Sequence, residues 1–114
     1  MKKIMVLLLV LGFTQTIIAK DVSPVTKIIK IYTYGDGAVI KIANPSSNKS
    51  HCKYESAGEF LSVRFKDERS KILYTALLAA FISGSKIRVA SDGCDNIWGA
   101  DKSLNEIYRV ELRK

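Results

Sequence analysis

The sequence predicts a small, mainly β domain in the order β-β-β-α-β-β. Three observations carry this: short β-forming runs separated by turn residues, a single long helix-forming run, and a length that leaves room for one core. The first nineteen of the 114 residues read as a leader and not as part of the fold. Lys2 and Lys3 make a charged start, Ile4 to Phe13 an apolar stretch, and Thr14 to Ala19 a more polar exit that ends in a small residue. That is the pattern of a secretory signal peptide cleaved after Ala19. An apolar stretch of about ten residues is short of the roughly twenty a spanning helix needs, so no stable membrane span is expected after cleavage. Residues 20–114 are expected to form one domain in a secreted or periplasmic location.

Within that domain, Asp21 to Pro24 reads as a polar lead. Val25 to Tyr34 follows as the first strand, rich in Ile and Tyr. Gly35-Asp36-Gly37 supplies a tight turn into a second strand, Ala38 to Ala43, whose side chains alternate between two faces. Asn44 to Ser50 is a cluster of turn formers and predicts a surface loop. Phe60 to Phe65 reads as the third strand. Asp67 and Ser70 are the candidate N-caps of a helix extending from about Ser70 to Ser83, where Ser83-Gly84 suits a left-handed ending. A fourth strand, Ile87 to Ala90, is broken by Asp92 to Asn96, and Glu106 to Leu112 is the last. Leu73, Leu77, Phe81, Val63, Val89 and Val110 are the expected core.

The domain holds two cysteines, Cys52 and Cys94, and an oxidising compartment predicts that they are bridged. A metal-binding pair is the competing reading. It is poorly served, because neither cysteine has a partner at C-x-x-C spacing and His51 is the sole histidine. The net charge of +7 falls to about +5 when Lys2 and Lys3 leave with the signal. Such a balance suits solubility or an anionic surface. The basic residues never form a run of five, so no nucleic-acid partner is expected. No G-x-S-x-G, H-E-x-x-H or phosphate-cradling glycine loop is present, and the chain is expected to be neither an enzyme nor the holder of a metal or cofactor.

Two features point to binding. Trp98, the only tryptophan, sits behind Cys94 in a loop with Asp95, Asn96 and Asp101, and an aromatic face beside polar groups suits a sugar ring. A tryptophan in that position also suits a cap on the end of the core, and the sequence leaves both readings open. The helix is apolar on nearly every side, which makes Tyr74, Leu78, Phe81 and Ile82 candidates for an interface with another copy. A partly exposed apolar helix is the alternative.

The element order, with its helix between the third and fourth strands, is that of a five-stranded OB-type barrel. The run Leu73 to Val89, a helix followed by a Ser-Gly turn and a basic strand, resembles the B subunits of secreted Gram-negative AB-type toxins, the subtilase cytotoxin and pertussis-like group. The resemblance implies a homo-oligomer, a ring of five, together with an enzymatic A-type subunit and a cell-surface glycan as ligand. The function expected on this basis is that of a non-enzymatic glycan-binding module. The alternative is a periplasmic accessory or inhibitor protein that binds another protein.

Overall fold

The computed structural model describes residues 20–114, and the expected signal peptide, residues 1–19, lies outside the described residues. Six strands and one α-helix follow in the order β1 (Lys20–Val22), β2 (Ile28–Tyr34), β3 (Gly37–Ile42), β4 (Phe60–Arg64), α1 (Glu68–Ser83), β5 (Lys86–Asp95) and β6 (Leu104–Arg113). They form one mixed α/β domain around a single sheet of order β1-β5-β6-β4-β3-β2. All neighbours are antiparallel except β4 and β6, which run parallel with Leu61 opposite Asn105 and Ser62 opposite Glu106.

Two expectations are corrected. The sheet has six strands and not five, and with β1 and β2 at its two ends it is not closed into a barrel. The cause lies in the segment before Tyr34. Part of the expected polar lead is itself a strand: Asp21 and Val22 pair with Ser91 and Ala90 of β5, and Ser23 follows on, its N–H donating to the Val89 carbonyl at 2.8 Å and its side-chain hydroxyl accepting from the Val89 N–H at 3.0 Å. Pro24 then interrupts the ladder and the chain turns, touching β5 once more at Thr26 opposite Ile87 before it joins β3. The fourth strand also runs further than expected, through Gly93 to Asp95, because two register shifts absorb the turn-forming residues as bulges.

The helix begins at Glu68, two residues earlier than expected, because Asp67 is the cap. Its carboxylate accepts from the Ser70 N–H at 3.1 Å, and the Ser70 hydroxyl accepts from the Asp67 N–H at 3.1 Å. The Ser70 N–H above all, with the Ser70 hydroxyl and the Arg69 charge, holds the Asp67 carboxyl below its usual range. Gly84, at a φ of 69°, ends the helix in the left-handed region.

One face of the sheet packs under α1. Ile40, Ile42, Leu61, Val63, Ile87 and Val89 meet Leu77 and Ala80 there, all buried. Leu73 and Val110 pack against this cluster at half-burial, whereas Phe81, expected inside, is 39% exposed. It lies in the last turn of α1, beyond the buried Leu77 and Ala80.

Candidate functional site

Strand alternation sends every second residue of β2, β3 and β4 to the face opposite α1. Tyr32 pairs with Val39 and Lys41 with Phe60, which sets Tyr32 beside Phe60 at a ring separation of 6.5 Å. Two loops complete the group. Trp98 enters from the connection between β5 and β6, its ring centroid 5.6 Å from Tyr32, 5.4 Å from Phe60 and 5.4 Å from Tyr54. Tyr54 enters from the turn after Cys52 and meets Phe60 edge-on at 5.6 Å. The Trp98 Nε1–H donates to the Tyr34 hydroxyl at 2.9 Å. All four rings are half-buried and Tyr34 is 40% exposed, so the cluster reaches the surface. Lys30 and Lys41 lie over the Tyr32 and Phe60 rings at 5.7 and 5.5 Å, adding cation–π attraction at the rim, and the Lys41 ammonium also pairs with Glu59 at 3.9 Å.

Both loops are held firmly. Arg64 Nε donates to the two Asp95 oxygens at 3.1 and 2.9 Å, and its Nη1 donates to Asp36 at 2.8 Å. Asp95 first, by hydrogen bonding, raises the Arg64 pKa above its ordinary value. The same carboxylate accepts from the Ile97 N–H at 3.0 Å, which fixes the residue before Trp98. Gly37 allows the loop to close in: a Cβ there would lie 2.7 Å from the Val63 carbonyl oxygen and 3.0 Å from Ile97 Cδ1.

On the other side, Cys52 and Cys94 form the expected disulfide, with Cα atoms 5.5 Å apart, and tie the Tyr54 segment to β5. Asn48 clasps Cys52, its Oδ1 accepting from the Cys52 N–H at 2.9 Å and its Nδ2 donating to the Cys52 carbonyl at 3.2 Å. Buried Asn105 in turn donates to Asn48 Oδ1 at 3.0 Å and to the Ala57 carbonyl at 3.2 Å. Ser103 holds the next residues, accepting from the Lys53 N–H at 2.8 Å and the Tyr54 N–H at 3.1 Å.

Of the residues singled out in the sequence, Trp98 lies within the ring cluster. Asp95 is engaged by Arg64, a positioning arrangement. Asn96 is exposed at the loop bend, where its carbonyl accepts from the Gly99 N–H at 2.8 Å. Asp101 is exposed on a short 3-10 turn, Ala100–Lys102. On α1, Tyr74 packs inward, its hydroxyl 2.7 Å from that of Thr33, and Leu78 is half-buried, while Phe81 and Ile82 are exposed. Phe60, Lys30, Lys41 and the Tyr34 bond were not anticipated. The strand alternation could have placed Tyr32 and Tyr34 on one face, but only the pairing register brings Phe60 to them.

Chemically the arrangement offers ring faces and edges, phenol hydroxyls and two ammonium groups. Among the described residues, no three His, Cys, Asp or Glu side chains are grouped to hold a metal ion, and no helix is long and apolar enough to cross a membrane. No family model, no curated protein and no solved structure matches this chain.

Proposed function

We propose that this protein is a non-enzymatic, extracytoplasmic binding module of OB type that takes a sugar ring on the aromatic cluster around Trp98. The observation that carries the reading is the cluster itself: four half-buried rings, anchored by the Tyr34 bond, flanked by two lysines and braced by a disulfide. Rigid aromatic surface with hydroxyls at its rim suits carbohydrate, whose apolar C–H faces stack while its hydroxyls hydrogen-bond. The OB-type reading draws on the single parallel pair, β4 with β6, and on a first segment that starts on β5 and ends on β3. The likeness of residues 73–89 to toxin B subunits favours a cell-surface glycan as the ligand. An extracytoplasmic location agrees with the disulfide, which an oxidising compartment sustains.

A glycan array, followed by titration of the Trp98 fluorescence with the sugars retained, tests the proposal. Binding that quenches or shifts the emission and is lost in Trp98→Ala is expected. An empty array, or binding indifferent to Trp98→Ala, would falsify it.

A further inference from the structure

The outward face of α1 carries a second pattern. Leu77 and Ala80 are buried against the sheet, but Ile72, Thr75, Ala79 and Ile82 fall at the 3-4-3 spacing of a coiled-coil seam on the far side. All four are exposed, Ile72 by 65% and Ile82 by 76%. The seam has large residues at its ends and small ones in the middle, so two such helices can approach closely at the centre while isoleucines close both ends.

Charge indicates what lies against it. Arg69 and Lys71 sit in the first turn of α1, and no basic residue sits in the last. A helix is favoured by cations at its C-terminus, where the macrodipole is negative, so these two are at the unfavourable end of their own helix. An antiparallel neighbour of the same sequence reverses this, setting Arg69 and Lys71 near its cation-free last turn. With Ile72 level with Ile82 and Thr75 with Ala79, the same register also carries Glu68 toward the exposed Lys86 that opens β5.

We propose that α1 pairs antiparallel with α1 of a second copy, Ile72 of each against Ile82 of the other. A twofold pair needs one self-complementary patch, whereas a ring of five needs two different patches on every subunit, and the seam supplies one. This surface is separate from the aromatic cluster, so the pairing stands or falls independently of the sugar reading. A seam of four side chains, Ile72, Thr75, Ala79 and Ile82, is a small contact by the standard of stable interfaces, so the expected association is weak.

Sedimentation velocity of the disulfide-bonded protein across about 1 to 500 µM tests the pair, with a monomer–dimer transition expected. Ile82→Asp and Ile72→Lys should each weaken association by about 100-fold or more, because each places two unpaired charges in an apolar seam. Circular dichroism melts should stay close to wild type, since both side chains are exposed in the monomer. Mixing the two variants should restore dimers, because only an antiparallel pair sets the new lysine against the new aspartate. A strictly monomeric wild type, a pentameric mass, association that survives both substitutions, or a mixture that stays monomeric would each overturn the pair.

Discussion

The two faces of the sheet are built from different materials. Beneath α1 the side chains are aliphatic and closed from water: Ile40, Ile42, Leu61, Ile87, Val89 and Leu77 are each no more than 1% exposed. On the opposite face the rings of Tyr32, Tyr54, Phe60 and Trp98 are half-buried and meet lysines and hydroxyls at the surface. Fully buried aliphatic surface contributes stability in proportion to its area, and leaves nothing for a ligand to touch. The aromatic face gives up part of that burial, and its geometry is maintained instead by a disulfide and the Arg64 ion pairs. The difference separates what holds the domain together from what it presents.

The contrast is broken most strongly at the closed face. Leu61→Ala should lower unfolding stability by about 2–5 kcal/mol, as expected for a fully buried leucine, and denaturant titration measures it. Replacing both Cys52 and Cys94 by serine should cost about 2–5 kcal/mol, mostly by freeing a 42-residue span in the unfolded chain. This loss should appear alongside faster proteolysis near Tyr54. Trp98→Ala should cost about 2 kcal/mol or less, because the ring is half-buried, while removing the sugar-binding signal. A loss as large as that of Leu61→Ala would mean that Trp98 is core, and that the two faces do not differ in the way described.

The smallest effect is at the helix cap. The Asp67 carboxyl is held below its ordinary value in the folded state, so its contribution to stability is present above the unfolded carboxylate range and is lost as pH falls through the lowered folded value. Asp67→Asn should therefore be less stable than wild type at neutral pH, the gap narrowing as acid protonates the wild-type carboxyl. Thermal melts at a series of acidic pH values read the convergence. A gap that stays constant throughout would show that the charge of Asp67 plays no part.

The local signals were readable in the chain. Gly35-Asp36-Gly37 marked the first hairpin, Ser83-Gly84 the helix end, and the two cysteines their own pairing. What escaped depends on distant partners. Asp21 to Ser23 has no periodicity to read, and it becomes part of the sheet only because Val89 to Ser91 of β5 offer it a ladder. Asn48 and Asn105 look like ordinary loop and strand asparagines, and their joint clasp on Cys52 exists only once the bond has folded the loop onto the strand. Trp98 was visible as a candidate from its uniqueness and its place behind Cys94. Phe60 and the two lysines joined it through strand register, which no short window of sequence contains. Ile72, the other end of the outer helix seam, was hidden because a helix apolar all round does not say which side turns to the core.

The pairing of β1 with β5 also orders events as the chain folds. Lys20, Asp21 and Val22 emerge early, yet their partners are Asp92, Ser91 and Ala90. That segment must wait unpaired while some seventy residues follow it, a non-local closure that slows assembly. Until β5 arrives there is no ladder for β1 to join, so its backbone groups stay unpaired in a partly synthesised chain.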